Sequence, residues 1–345
     1  MYKVGVCGHF GEGKNLLNGQ TVKTKLIAEE LKVAFPSQLV GLIDTHGWKS
    51  NPILLLIKCV LLIKNSENII ILPAQNGVSV LLPLFLIINK LFHRKLHYVV
   101  IGGWLPELLV EDHKLKSKVS RFDGVYVETH SMIKALNKIG LDNVNYLPNF
   151  KRLKIVEEND LNYIREEPFR LCTFSRVMKE KGIEDAIKSV KLVNSFFGRK
   201  IYTLDIYGQV DEKYKERFDE LIKDFPDFIS YKGVVNFDES VEVLKDYFAL
   251  LFPTFYKGEG FAGTILDAYA AGVPVIATNW RYNGEIIKEK YDGLLYDYKE
   301  NKKLQEILID IQLNPDIINN MRKNCLKRAK EYTPETVINS FIKYL

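Results

Sequence analysis

Phe252-Pro253-Thr254-Phe255-Tyr256-Lys257-Gly258-Glu259-Gly260-Phe261-Ala262-Gly263-Thr264-Ile265-Leu266-Asp267-Ala268-Tyr269-Ala270-Ala271-Gly272-Val273-Pro274-Val275-Ile276-Ala277-Thr278 reads as a strand, a glycine-bearing loop, a helix opening near Gly263, and a second strand after Gly272-Val273-Pro274. Gly258, Gly260 and Gly263 let the backbone come close to a ligand. The free N–H groups and positive end of the following helix favour an anion such as a diphosphate. Glu259 stands just ahead of that helix and Asp267 about one turn inside it, so both carboxylates can face one crevice and accept hydrogen bonds from hydroxyls. Many α/β proteins carry a strand, a glycine loop and a helix with no ligand, and an acidic residue near a helix start stabilises any helix through its dipole.

Working outward, short apolar strands alternate with helical stretches almost from end to end, the signature of parallel sheets with crossover helices. Strand-like runs fall at Tyr2–Gly8, Gln38–Asp44, Asn68–Pro73, Leu96–Gly102 and Gly124–Glu128, with Thr21–Ala34 as the first helix. Residues 1–150 form one α/β domain on this pattern. The alternation breaks over the charged stretch 151–168, which reads as a linker, and restarts at Phe169–Phe174. It continues through Lys200–Tyr207, Phe228–Lys232, Phe248–Pro253 and Val273–Thr278, giving a second α/β domain over 169–330. Near the end, Tyr332-Thr333-Pro334 interrupts a helical stretch, so residues 331–345 are expected to form a separate final helix with Thr333 as N-cap and Pro334 at its first position.

A second polar cluster follows the first strand of the later half: Ser175-Arg176-Val177-Met178-Lys179-Glu180-Lys181-Gly182. Arg176 and Lys181 then lie at the carboxyl edge of that strand, where open α/β sheets bind ligands. An arginine fork and a lysine point charge suit a pyrophosphate. The plain alternative is a pair of solvated surface cations. Together, the two clusters describe an anionic, hydroxyl-rich ligand.

The 345 residues carry a formal charge of +5, which suits a phosphate-bearing ligand or an anionic membrane surface and is too small to call for nucleic acid. Cys7, Cys59, Cys172 and Cys325 are spaced for neither zinc nor a disulfide framework, and are read as reduced thiols of a cytoplasmic protein. Neither an Asp-x-Asp pair nor a His/Cys cluster with ligand spacing occurs, so no metal and no cofactor are expected. The N-terminus enters a strand at once, without the basic start and apolar core of a secretory signal. Two apolar runs, Ile53–Ile63 and Val78–Phe92, fall short of the roughly twenty residues a spanning helix needs. They read as buried helices against the sheet, with peripheral membrane contact through Val78 to Lys95 as the second reading.

Ser175-Arg176 with Lys181-Gly182, Glu259-Gly260-Phe261, and Ala268 through Ile276 resemble retaining glycosyltransferase family 4, of the GT-B fold. Asn283-Gly284-Glu285-Ile286-Ile287 and Tyr291-Asp292-Gly293-Leu294-Leu295 fit the same family, as do Asn18-Gly19-Gln20 and Leu147-Pro148-Asn149 in the first half. The resemblance implies two Rossmann-like domains facing across a cleft, the final helix crossing back to the first. It implies transfer of a sugar from a nucleotide sugar to a saccharide or lipid-linked acceptor with retention, UDP being the default nucleotide. Arg176 and Lys181 would hold the donor diphosphate, Glu259 the transferred sugar and Asp267 the ribose hydroxyls. Gly19, Phe261, Ala262, Gly263 and Thr264 would line the donor. Asp267 is one methylene shorter than the family's usual glutamate, and Ala262 replaces a usual glycine. A histidine that many members carry after the fourth strand is missing. Gly103 and Trp104 stand there instead, as candidates for shaping an acceptor pocket, with ordinary packing of Trp104 as the alternative.

Two other functions compete. Gly8-His9-Phe10-Gly11-Glu12-Gly13-Lys14-Asn15 nearly matches a P-loop, and Leu39–Asp44 resembles a strand ending in a metal-binding aspartate. A nucleotide triphosphatase would need Ser or Thr at Asn15 and a helix immediately after it, and would leave the second half idle. A non-catalytic GT-B subunit that only binds a sugar nucleotide is the remaining alternative.

Overall fold

Buried parallel strands are written as continuous apolar runs, since helices cover both faces of the sheet. Ile69-Ile70-Ile71-Leu72 illustrates this, all four residues being fully buried. The computed structural model describes all residues except 12, 14–18 and 301. In chain order the elements are β1 (Tyr2–Gly8), α1 (Gly19–Ala34), β2 (Val40–Asp44), α2 (Pro52–Lys64), β3 (Ser66–Leu72), α3 (Gln75–Asn89), β4 (Lys95–Val99), α4 (Leu105–Glu111), α5 (His113–Val119), β5 (Gly124–Val127), α6 (His130–Lys138) and β6 (Val144–Tyr146). There follow β7 (Phe169–Phe174), α7 (Ile183–Phe197), β8 (Tyr202–Tyr207), α8 (Lys215–Lys223), β9 (Ile229–Gly233), α9 (Ser240–Leu244), β10 (Ala249–Phe252), α10 (Gly263–Ala270), β11 (Val275–Thr278), α11 (Asn283–Ile286), β12 (Gly293–Tyr296), α12 (Lys303–Leu313), α13 (Asp316–Asn319), α14 (Arg322–Glu331) and α15 (Pro334–Ile342).

The chain divides into two units, Met1–Lys151 with Pro334–Leu345, and Arg152–Thr333. Each holds a six-stranded, all-parallel sheet with Rossmann-like winding, in the order β2-β1-β3-β4-β5-β6 for the first and β12-β11-β10-β7-β8-β9 for the second. The winding reverses between β1 and β3 in one sheet and between β7 and β10 in the other. Such reversals open a crevice at the carboxyl edge, because successive connections leave to opposite sides.

In the first unit, α15 begins at Pro334 and packs on α1, with Phe341 edge-on to Tyr126 at 4.7 Å. Asn68 Nδ2 donates to the Leu345 carbonyl at 2.9 Å, tying the chain end to β3. In the second unit, Arg322 is completely buried. Its guanidinium donates to the carbonyls of Gly272, Tyr247 and Phe248 and to Asn319 Oδ1, which fixes α14 against the entrances to β10 and β11. Desolvation pulls its pKa down to about 10.

Residues 151–168, expected as a linker, are in the main packed into the second unit. Val156 N–H donates to the Ala270 carbonyl, and Leu153, Ile155 and Val156 lie against the core around α10. The charged residues of this stretch hide a half-buried apolar edge, which is why composition reads as a tether. The apolar run at α2 also departs from expectation: only Leu55, Cys59, Leu62 and Ile63 are buried, while Ile53, Leu54, Leu56, Ile57 and Leu61 are exposed. One stripe of the helix suffices to cover the sheet, and the remaining apolar side chains are left facing outward.

His97 on β4 is buried between Tyr126 Oη and Asn68 Oδ1, at 3.0 and 3.2 Å. Burial lowers its pKa from 6.5 to about 4, so the unfolded chain takes up a proton before the folded one does. The associated stability is complete above the ordinary value and is lost as pH falls from 6.5 towards 4. Urea titrations should therefore show about 2 kcal/mol less stability at about pH 5 than near neutrality, and a smaller difference in His97→Gln.

Candidate functional site

Lys181 and Glu259 of the residues quoted from the sequence meet where β7 and β10 lie side by side, at the reversal of the second sheet. After β7 the chain runs beside the end of β8: Ser175 N–H donates to the Tyr207 carbonyl and Val177 N–H to that of Gln209. A single 3-10 turn, Lys179–Lys181, follows, and Gly182 leaves it with φ 71°. A side chain at Gly182 would place its Cβ 2.1 Å from the Pro253 carbonyl oxygen, so glycine is what lets this turn lie against the end of β10. Phe255 N–H donates to the Glu180 carbonyl at 2.8 Å and Thr254 Oγ1 lies 3.3 Å from the same oxygen, joining the two loops.

That junction brings Lys181 onto Glu259. The ammonium is 2.6 Å from Glu259 Oε2, with side-chain exposures of 12% and 8%. Thr254 Oγ1, fully buried, donates to the same oxygen at 2.9 Å. The lysine also lies 5.2 Å from the Phe252 ring centre and 5.4 Å from that of Tyr256, a setting that favours a cation. An ammonium has three N–H donors, and Glu259 takes one of them.

α10 starts four residues beyond Glu259. Ala262 is its N-cap in an extended conformation with no side-chain cap, so the first-turn N–H groups at Gly263 and Thr264 open toward the loop. Thr264 Oγ1 is buried without a hydrogen-bond partner. Phe261 turns its ring into the core, edge-on to Tyr332 at 4.8 Å, which leaves its main chain to the loop. Asp267, one turn in, is 2% exposed and accepts from Ser240 Oγ at 2.9 Å, at the start of α9. Arg176 stands apart from the Lys181–Glu259 pair: it is half exposed and 3.4 Å from Asp211 Oδ2.

The first unit carries the other expected residues. Gly19 is the first residue of α1, and a Cβ there would meet nothing within 4 Å, so packing does not demand a glycine. Trp104 is 8% exposed and donates its indole N–H to the Ile101 carbonyl at 2.8 Å; it braces the Gly102-Gly103 turn from within. Of the P-loop-like stretch, Glu12, Lys14 and Asn15 lie outside the described residues. Asp44 Oδ1 accepts the main-chain N–H groups of Phe10 and His46, both at 2.8 Å, and so shapes the loop after β2.

Several polar groups went unread in the sequence. Thr254 and Ser240 hold the two carboxylates; Thr254, five residues before Glu259, was an available signal, while Ser240 stands 27 residues from Asp267. At the carboxyl edge of the first sheet, His46 Nδ1 is 3.1 Å from His9 Nε2, and His9 Nδ1 is 2.8 Å from Thr21 Oγ1. Burial is the main cause that lowers the His9 pKa. Lys23 and Glu128, both buried, pair at 2.5 Å between α1 and the residue after β5. Of these partners only Thr254 and Glu259 are near each other in sequence.

A sequence model of the family described as glycosyl transferases group 1 matches residues 157–332, the whole of this site. The chain belongs to that family. It is 24% identical over 249 residues to an uncharacterized glycosyltransferase of Methanocaldococcus jannaschii, covering 72% of this chain and 56% of the relative. An amylovoran biosynthesis glycosyltransferase of Erwinia amylovora is 23% identical over 147 residues, 41% of this chain and 36% of that one. The chain spans about half the length of the first curated relatives it matches. In three dimensions it is similar over its full length to HepE of Anabaena in complex with UDP-glucose, with a TM-score of 0.76 at 15% identity and 100% of each chain covered. That likeness shows a GT-B fold.

Lys181→Met would leave the Glu259 carboxylate buried with Thr254 as its partner, at a cost of about 3 kcal/mol. Lys181→Met combined with Glu259→Gln should recover most of that loss in urea denaturation.

Proposed function

We propose that the chain transfers a sugar from a nucleoside diphosphate sugar, with UDP the default nucleotide, to a hydroxyl of a saccharide or lipid-linked acceptor, with retention at the anomeric carbon. The observation that carries this reading is the Lys181–Glu259–Thr254 constellation beside the uncapped start of α10, within the family-matched segment. Lys181 and Arg176 would hold the diphosphate and take up the charge that grows as the nucleotide departs, a stabilisation worth about a hundredfold or more in rate per donor group. Main-chain N–H groups at Gly263 and Thr264, with the unpartnered Thr264 hydroxyl, would add donors to the same anion. Glu259 would orient the sugar and Asp267 the ribose. In this reading the cations and the helix end do the work of a metal, and none is part of the proposal.

For retention, the acceptor oxygen attacks C1 on the face from which the diphosphate leaves. The C1–O(phosphate) bond breaks, the C1–O(acceptor) bond forms, and the acceptor proton passes to the departing phosphate oxygen. The complexes of HepE with UDP and UDP-glucose support the donor class, and the relative named for amylovoran biosynthesis supports a place in polysaccharide or glycoconjugate assembly. Loops at the carboxyl edge of the first sheet, Gly103 and Trp104 included, are proposed to take the acceptor.

Peripheral attachment to a membrane belongs to the same proposal. No helix among the described residues is long and apolar enough to cross a bilayer. α2 and α3 lie side by side and expose Ile53, Ile57, Leu61 and Ile87, with Leu91 exposed just beyond α3. The cations on and just after these helices are Lys58, Lys64, Lys90, Arg94 and Lys95, and Glu67 is an acid just beyond α2. An apolar face with a basic rim fits an anionic lipid surface.

A panel of UDP-, GDP- and ADP-sugars should raise the melting temperature with one nucleotide, and Lys181→Ala should lose that shift and about a hundredfold in turnover. Anomeric NMR of the product should show the donor's configuration; an inverted product rules out the mechanism above. Sedimentation with phosphatidylglycerol vesicles should capture the protein, and Ile57→Glu with Leu61→Glu should abolish capture; equal recovery with phosphatidylcholine alone counts against an anionic surface.

A further inference from the structure

Beyond Thr254, on the side of the sheet away from β7, three loops leave the carboxyl ends of the neighbouring parallel strands β10, β11 and β12. Each brings an aromatic residue within three positions of its strand: Phe255, Trp280 and Tyr298. Phe255 and Tyr298 stack with ring centres 4.8 Å apart and planes 28° from parallel, and Trp280 meets Tyr298 edge-on at 5.5 Å. The Trp280 indole N–H donates to the Tyr256 carbonyl at 2.8 Å, so the loops after β10 and β11 are pinned together at this point. None of the three rings is fully buried, and Tyr298 is 37% exposed.

Arg281, next to Trp280, has φ 51°, the left-handed region that a residue with a bulky side chain seldom enters. The surroundings hold it there: Asn279 N–H donates to the Tyr296 carbonyl at 2.7 Å and Asn283 N–H to that of Trp280 at 3.0 Å. A backbone constrained in this way sets the indole beside Tyr298 in place of leaving it on a free loop. The Lys181–Glu259 pair is one residue away through Thr254, which hydrogen-bonds to Glu259.

We infer that Phe255, Trp280 and Tyr298 form a saccharide-binding ledge, which takes the C–H face of a pyranose ring by stacking, next to Glu259. The apolar C–H face of a sugar matches an aromatic surface, while its hydroxyls need a polar group at the rim, here Glu259. The inference rests on the proposed donor site for its position and adds a subsite for a sugar ring. The ring could come from the donor or from the acceptor, and the chemistry of the contact is common to both.

The test compares wild type with Trp280→Ala, Tyr298→Ala and Tyr298→Phe by calorimetry. The probes are the sugar nucleotide that stabilises the protein in the panel above, its bare nucleoside diphosphate, and the free trisaccharides maltotriose and cellotriose. The two alanine variants should bind a sugar-bearing probe about fivefold to tenfold more weakly, bind the bare diphosphate as wild type does, and Tyr298→Phe should bind like wild type. A loss confined to the sugar nucleotide assigns the ledge to the donor's ring, and a loss on a trisaccharide assigns it to the acceptor's. Wild-type affinity of both alanine variants for every sugar probe overturns the ledge, as does an equal loss on the bare diphosphate. If no nucleotide binds wild type, the donor-site reading fails, and the trisaccharides alone decide: weakened binding in the variants supports the ledge, and no binding to wild type overturns it.

Discussion

The contact between Lys181 and Glu259 is the point on which the rest of the second unit's chemistry depends. Two opposite charges out of water hold only when the geometry is good and the remaining lone pairs are served, and Thr254 serves one of them. The backbone around them is arranged to the same end. Gly182 has no side chain to strike Pro253, the Glu180 carbonyl gathers Thr254 and Phe255, and the buried Arg322 fixes the chain that enters β10. In its proposed role Lys181 is thus held in place before a diphosphate arrives, so little rotamer freedom remains to be lost on binding.

A parallel sheet gathers loops from distant parts of the chain at one edge, and both units use this. In the second unit it collects the cations, the start of α10 and the aromatic loops. In the first it collects His9, His46 and Thr21, with Lys23 and Glu128 as a buried pair behind them. The opposite requirement, covering the sheet faces, falls on the helices. α2 meets it with one stripe and leaves its other apolar residues outside.

Much of this was legible in the residues. The alternation of apolar runs and helical stretches gave two α/β halves, with β1 and β7 at the bounds read for them, and Pro334 marked the start of α15. β6 and β12 were harder, one being three residues long with no fully buried position and the other lying beyond a run of turns. The loop at Glu259 and the cations at Arg176 and Lys181 stood out because glycine, acid and base at those places have few structural reasons to coincide. Residues 151–168 were read as a linker because charge dominates their composition; the apolar side chains at Leu153, Ile155 and Val156 pack.

What the sequence determined by itself is the class of fold, the order of the elements and the segments that hold the candidate site groups, because hydrophobic period and the placement of glycine are local properties. Which groups meet is a different matter. The pairing of Lys181 with Glu259, of Asp267 with Ser240, of His9 with His46, and the joining of Phe255, Trp280 and Tyr298 each link residues far apart in the chain. Strand order alone brings their loops together, and strand order is set by how the whole sheet buries its faces, so only the tertiary structure decided them.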